Sequence, residues 1–333
     1  MDNNIILEVK KIIPLLYLVG GSVRDMLLNK EPKDYDFCTP LLPEEIENLI
    51  RQAGKKPYLT GKRFGTIGVR IDGQLVEITT FRCEKYAEGN RKPDVQFVND
   101  LNEDLSRRDF TINAIAFDGE KVIDPFGGQE DLNNKVIRCV GKPSDRFKED
   151  PLRMLRAARF SSKLGFIIDK ELEESVKQLN YKILEISKER WVMELDKILI
   201  SDSPEVGLNF LIKTKLMNYM IPELSLQVGY DQNNPHHSLL LWEHTLEVVK
   251  NTSKDIELRW AALIHDIAKP FVRTENAKGY SNYIKHDLLG GEFVIRLALY
   301  LKWSNQRREN VYNLVVNHMT EFSPLRKADT EAK

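Results

Sequence analysis

Residues 20–36 read GGSVRDMLLNKEPKDYD. The run LLYLV ahead of them (15–19) is apolar and β-prone, so the glycine pair closes a strand and SVRDMLL opens a helix. Asp34 and Asp36 follow, two residues apart. On a second strand that spacing puts both carboxylates on one face. Carboxylates so placed repel one another unless a cation lies between them, and a hard divalent ion with oxygen ligands, Mg²⁺ above all, suits them. The turn at Gly20 and Gly21 lets backbone N–H groups approach a phosphate at a helix start. A Gly-Gly turn alone or an Asp-x-Asp loop alone is commonplace. Strand, Gly-Gly, helix and Asp-x-Asp in succession point to metal-dependent phosphoryl or nucleotidyl transfer.

GGSVRD followed by DYDF resembles the first motif of the class II tRNA nucleotidyltransferases, the CCA-adding enzymes and their bacterial poly(A) polymerase relatives. The resemblance continues in order through KRFGT (62–66), EITTFR (77–82), RRDFTINA (107–114), DPFGGQEDL (124–132), EDPLRMLRAARF (149–160) and ERWVMEL (189–195). It spans roughly residues 12–225. It implies an α/β N-terminal nucleotidyltransferase head with a mixed β-sheet (1–145), an all-α neck and body that bind base and tRNA (146–232), and an all-α HD domain (233–333). The resemblance further implies that Asp34 and Asp36 hold Mg²⁺, and that Gly20, Gly21 and Arg24 contact the nucleotide. Arg108, Asp109 and Asn113 would hold its ribose and phosphates, with Asp109 or Asn113 reading the 2′-hydroxyl. Glu77 lies in LVEITTF, where Glu77, Thr79 and Phe81 share a strand face, and is a candidate third carboxylate; otherwise it is a strand-surface glutamate.

In EDPLRMLRAARF, Asp150 and Arg153 are three residues apart and would share a helix face, which Arg156 and Arg159 continue. An acidic first turn with Pro151 near the start also reads as an ordinary helix beginning, but that leaves three arginines in register unexplained. Aspartate only accepts hydrogen bonds and arginine only donates them. Cytosine presents a donor at N4 beside an acceptor at N3, and adenine a donor at N6 beside an acceptor at N1. Both complement an Asp–Arg pair, whereas uracil and guanine present the reverse order. An Asp150–Arg153 pair would then admit CTP and ATP without a nucleic-acid template. Arg156 and Arg159 would meet phosphate or orient Asp150.

The chain has 333 residues, enough for two or three domains, and a net charge of −1. Charge is uneven: Arg138, Lys142, Arg146, Lys148, Arg153, Arg156, Arg159 and Lys163 form a basic stripe suited to RNA phosphates, or in part solvated helix faces. No run approaches a membrane span, and MDNNIILEVKK is too short and polar for a signal peptide. Cys38, Cys83 and Cys139, without a CxxC, read as free thiols in a reducing cytoplasm.

All six histidines lie between His236 and His318, the first two in the turn-rich DQNNPHH (231–237), and this break marks a domain boundary. LWEHTLEVVK and AALIHDIAKP resemble an HD domain, implying His244, His265 and Asp266 as ligands of a second divalent metal, Ni²⁺, Mn²⁺ or Fe²⁺. The closing aspartate is open between Asp287 and Asp329, and His286 and His318 suit a two-metal variant. Buried structural histidines are the other reading. With the closing aspartate open, weak or no hydrolase activity is the expectation. Between Pro151 and Pro204 there is no proline, and between Gly165 and Gly207 no glycine, so this stretch reads as helix throughout. The polar end PLRKADTEAK leaves the HD domain open to truncation.

FGT in KRFGTIGVRI and the polar segment RCEKYAEGNRKP (82–93) favour complete CCA addition, the segment acting as the loop that switches from C to A. The expected partners are tRNA, CTP and ATP, with no membrane; the oligomeric state is left open. A CC-adding, A-adding or poly(A)-adding enzyme is the alternative within the family. An HD-type metal-dependent phosphohydrolase is the alternative of another class.

Overall fold

The β-branched runs of the N-terminal half pair into one sheet. A computed structural model of the chain describes residues 4–85, 94–235, 238–321 and 323–332. It divides into two units, Met1–Asp150 and Pro151–Lys333. The first holds β1 (Tyr17–Val19), β2 (Tyr35–Thr39), β3 (Thr66–Ile71), β4 (Gln74–Thr80), β5 (Arg82–Lys85), β6 (Asp94–Phe97), β7 (Ala116–Phe117) and β8 (Val122–Ile123). Six of these form a sheet in the order β3-β4-β2-β1-β7-β8, while β5 and β6 pair separately. β2 and β4 run parallel and the other pairs of the sheet antiparallel, so the sheet is mixed. Asp72 and Gly73 join β3 to β4 with φ of 50° and 83°, the left-handed pair that a two-residue Asp-Gly hairpin turn requires.

The unit's helices are α1 (Asn4–Ile12), α2 (Gly21–Leu27), α3 (Pro43–Gln52), α4 (Leu101–Ser106), α5 (Gly128–Asn134) and α6 (Pro143–Glu149). Strand alternation divides the sheet's two faces. Phe37, Ile67, Val69, Ile71, Val76 and Ile78 are buried on the face where α3 packs on β3 and β4, and α1 on β3. On the other face Val19, Cys38 and Phe81 bury with Leu105, Ala114, Ala116 and Val140. Asp36 and Glu77 share that second face but are exposed, where this core gives out. Phe81 lies on that same face, at its covered end.

The second unit is built from α7 (Leu152–Leu164), α8 (Lys170–Leu179), α9 (Lys188–Leu199), α10 (Pro204–Lys213), α11 (Met217–Met220), α12 (Pro222–Ser225), α13 (Leu241–Asn251), α14 (Ile256–Ile264), α15 (Lys269–Val272), α16 (His286–Tyr300), α17 (Asn305–Val316) and α18 (Arg326–Glu331). The expectation of uninterrupted helix after Pro151 needs one correction. Gly165 ends α7 at φ 69°, and Ile167–Ile168 is extended before the Asp169 side chain caps α8. α7 and α10 meet closely at Gly207, where a Cβ would lie 2.2 Å from Ser162 Oγ. The Gly207 amide donates to that same hydroxyl (2.9 Å).

Candidate active site

Parallel pairing of β2 with β4 sets Asp36 directly across from Glu77. Neighbouring strands lie about 4.8 Å apart, so the two carboxylates are side by side on one face. Asp34 stands one residue ahead of β2, so strand alternation reaches it only by extension. The protein packed around the Asp36 carboxyl, although the residue keeps an exposed surface, then Glu77, and to a smaller degree Asp34, push it up from its ordinary value, with Arg108 opposing them. Ser22 fixes the motif's backbone: its hydroxyl donates to the Asp34 carbonyl (2.9 Å) and accepts from the Asp36 amide (3.2 Å). Nothing in the sequence singled out Ser22.

The Gly-Gly turn is tied to RRDFTINA through a buried polar network. Gly20 has φ 71°, its amide donates to the Ile115 carbonyl (3.2 Å), and a Cβ there would lie 2.8 Å from the Arg108 guanidinium. No side chain fits that position. Arg24, buried, donates to Asn113 Oδ1 (2.7 Å) and to Asp25 Oδ1 (2.8 and 2.7 Å). Asn113 Nδ2 donates to Asp109 Oδ1 (3.1 Å), which also accepts from the Phe110 amide (2.8 Å). Asp109 and Asn113 are both buried within this network, so their first task is to hold Arg24. Arg107 and Arg108 meet Asp104 at 2.8 and 3.2 Å. Burial opposes charge on Asp104, yet Arg108 and Arg107 outweigh it and hold its carboxyl low. DPFGGQEDL supports this network from behind: Asp124 caps α5 through the Gly128 and Gln129 amides (2.8 Å each), and Asp131 Oδ2 accepts from Thr111 Oγ1 (2.6 Å).

Asp150 does not share a helix face with Arg153. It ends α6 in extended conformation (φ −142°), Pro151 follows, and α7 begins at Leu152. The proline disfavours helical backbone in the residue before it. Arg153 is buried. Arg159 is committed to Glu194 of ERWVMEL (3.2 Å), and its guanidinium lies 4.4 Å from the centre of the Phe160 ring, so it serves packing between α7 and α9. The Arg156 guanidinium lies 5.5 Å from the same ring. The basic stripe is likewise partly used internally, with Arg138 on Asp131 (3.2 Å) and Arg146 on Glu149 (2.7 Å). The switch-loop reading of 82–93 falls, for residues 86–93, outside the described residues.

The histidine motifs converge. Asp266 Oδ2 lies 3.5 Å from His244 Nε2 and 3.2 Å from His265 Nε2, and its Oδ1 lies 3.3 Å from His286 Nε2 and 3.8 Å from His318 Nε2. Among the described residues, two groups could hold a metal ion with ligand atoms within 4.8 Å of one another: His244, His265 and Asp266, and Asp266, His286 and His318. Each imidazole's Nδ1 faces a backbone carbonyl, of Ala332, Ala262, Tyr283 and Val315 in turn, at 3.2, 2.8, 2.7 and 2.6 Å. Donation from Nδ1 leaves Nε2 as the ligand atom. Of the two candidate closing aspartates, Asp329 has its Oδ1 3.2 Å from His244 Nε2 and 4.0 Å from His265 Nε2. Lys269 Nζ lies 2.7 Å from Asp266 Oδ2. Burial opposes charge on His244, but Asp266 and Asp329 outweigh it and hold the ring at about 9, while burial and then His265 bring His318 down to about 4.

With this geometry in hand, the chain compares closely with one group of proteins. Residues 16–138 match the Poly A polymerase head domain, 165–227 the probable RNA and SrmB-binding site of polymerase A, and 236–333 the HD domain. The Bacillus stearothermophilus CCA-adding enzyme, solved in complex with CTP, is 30% identical at a TM-score of 0.63, covering 96% of this chain and 74% of that one. The chain belongs to the CCA-adding enzyme family. A tRNA nucleotidyltransferase solved with a primer tRNA and an incoming ATP analog is 26% identical at a TM-score of 0.67, covering 96% of this chain and 86% of that one. CCA-adding enzymes of Geobacillus sp. (strain WCH70) and Bacillus subtilis are 46% and 44% identical over 206 and 202 residues, 61% and 60% of this chain. The aligned region spans 50% of each of those two proteins, so the chain covers about half the length of the curated relatives it matches. Among the described residues of this family member, no helix is long and apolar enough to cross a membrane.

The Arg24–Asn113 bond is a side-chain link between the Gly-Gly helix and RRDFTINA. Asn113→Ala should take the Oδ1 acceptor from Arg24 Nη1, leaving its bonds to Asp25, and destabilise the protein by about 1–3 kcal/mol. Urea unfolding of the variant measures this; a change under about 0.5 kcal/mol would mean that the bond carries no strain-free load.

Proposed function

We propose that the chain adds C, C and A to the 3′ end of tRNA from CTP and ATP, releasing pyrophosphate. The observation that carries this is the Asp36–Glu77 pairing beside the Gly20–Arg24 turn, in a chain of this family. Asp34 and Asp36, with Glu77 beside them, offer only oxygen donors; desolvation first and then the like charge of Glu77 raise the Asp36 carboxyl, and a divalent cation would offset the like charge. This set fits Mg²⁺, which binds through one or two carboxylates together with substrate phosphates. When bound, Mg²⁺ supplies charge neutralisation on the phosphates and lowers the pKa of the primer hydroxyl.

The chain's own residues position the reactants. Arg24, locked by Asn113 and Asp25, and Arg108, locked by Asp104, present guanidinium groups near the turn for charge-assisted bonds to the triphosphate. The primer 3′-oxygen forms a bond to the α-phosphorus, the bond to the pyrophosphate breaks, and the hydroxyl proton passes to water. Asp150 and Arg153 read the base edge, Asp150 from the extended link before α7 and Arg153 from its first turn.

The test is incubation of tRNA transcripts ending before C, before CC and before CCA with CTP or ATP, followed by sizing. Stepwise completion to CCA is expected, and Asp36→Ala should lower the rate by several orders of magnitude. Asp150→Ala or Arg153→Ala should shift the CTP-to-UTP preference by about one to two decades. No incorporation by the wild type overturns the reading; addition that stops at CC, or of A alone, favours the partial enzymes.

A second reading is favoured by the convergence of four imidazoles on Asp266: a dinuclear divalent-metal centre in the HD domain that hydrolyses phosphoesters. Asp266→Asn should remove both Mn²⁺ ions that this centre retains through desalting, and His318→Ala one, by elemental analysis against the wild type. Unchanged metal content in Asp266→Asn sinks the assignment. Hydrolysis of a 2′,3′-cyclic nucleotide to its phosphomonoester should disappear with it.

A further inference from the structure

The strand pairings lay out the first unit as a line across the sheet. Gly20 and the Arg24 network stand at the end of β1 on the β7 side. Asp36 pairs with Glu77, Glu77 with Gly68 of β3, and Gly68 with Tyr58, whose amide and carbonyl exchange hydrogen bonds with it at 2.8 and 2.9 Å. Successive strands are about 4.8 Å apart, so Tyr58 stands roughly 10 Å from Glu77 on the side away from Gly20. There the chain leaves a cavity of about 220 Å³, lined by Tyr58, Thr60, Thr66, Arg70, Leu75 and Glu77 among others.

Nucleotidyl transfer requires the attacking and leaving oxygens roughly in line on opposite sides of the transferred phosphorus. Arg24 and Arg108 hold the triphosphate on the β1 side, so the attacking hydroxyl must arrive from the β3 side. We propose that the Tyr58 cavity receives the 3′-terminal nucleoside of the RNA primer, placing its 3′-hydroxyl at the carboxylates through Glu77. This rests on the nucleotidyl-transfer reading above.

The lining suits that ligand. Tyr58 keeps 40% of its surface exposed, a stacking platform that tolerates any base. Arg70 Nε donates to the Tyr58 hydroxyl (3.3 Å) while its NH1 donates to the Gly73 carbonyl (2.9 Å), so the ring is held from behind. Thr60 and Thr66 offer hydroxyls for a ribose. Gly68 makes the close approach possible, since a Cβ there would stand 3.2 Å from Tyr58 Cβ. The surrounding segment GKKPYLTGKRFG (54–65) adds Lys55, Lys56 and Arg63 for the primer's phosphates.

Two measurements test this on the full chain. First, a tRNA transcript carrying a 4-thiopyrimidine as its 3′-terminal base is irradiated with the protein without nucleotide, and the adduct is mapped by mass spectrometry. Attachment within residues 58–75 is expected; attachment only elsewhere, or none, overturns the site. Second, Tyr58→Ala should raise KM for the RNA about tenfold and leave KM for ATP within about twofold, while Tyr58→Phe retains wild-type values. Equal increases for RNA and ATP, or no change in either, contradict the proposal. Because cross-linking needs no turnover, an adduct at 58–75 in a protein that incorporates no nucleotide upholds the RNA site and overturns the transfer reading. Normal incorporation with an adduct elsewhere does the reverse.

Discussion

The structure of the head turns on the parallel pairing that sets Asp36 against Glu77. Placing like charges on adjacent strands costs folding energy, and the surrounding motifs are arranged so that the cost is borne locally. Ser22 anchors the backbone on both sides of Tyr35. Arg108 draws near enough to oppose the rise in the Asp36 carboxyl, and buried Asp104 keeps that guanidinium in place. Each of these residues fixes another residue's charge, and that preorganisation is what a phosphoryl-transfer site needs before substrate arrives.

Much of this was legible from local spacing. The strand, Gly-Gly, helix and Asp-x-Asp succession correctly implied a strand end and a helix start. Glu77 was found by strand alternation, but its partner Asp36 is more than forty residues away, and register of that kind leaves no periodic trace. The same limit hid Ser22, whose partners Asp34 and Asp36 lie beyond α2, while Asp25 pairs with its neighbour Arg24 and Asp104 with Arg108 one turn on. The helix-face argument for Asp150 failed for a local reason that the sequence did contain. Pro151 bars helical backbone at the residue before it, so the acid belongs to the link and Arg153 to the helix. Arg159 matched the spacing of a base- or phosphate-binding face, and Glu194 takes it for packing.

In the second unit the ligands come from widely separated segments, and one carboxylate organises them. Asp266 lies against four histidines, with Asp329 from α18 closing one side. The sequence could name His244, His265 and Asp266 from adjacency, but choosing Asp329 over Asp287 required the chain to return. A carbonyl faces each of the four Nδ1 atoms, an arrangement that suits the metal binding through Nε2 proposed above.

The central claim is that Asp36 and Glu77 form an electrostatically costly pair that a divalent cation relieves. Thermal unfolding of the wild type and Asp36→Asn, with and without Mg²⁺ and CTP, addresses it directly. Without the cation, Asp36→Asn should melt roughly 1–3 °C above the wild type, because the repulsion is gone. With Mg²⁺ and CTP, the wild type should gain stability that the variant does not. A variant that melts lower than the wild type and keeps the full Mg²⁺–CTP response would contradict the account.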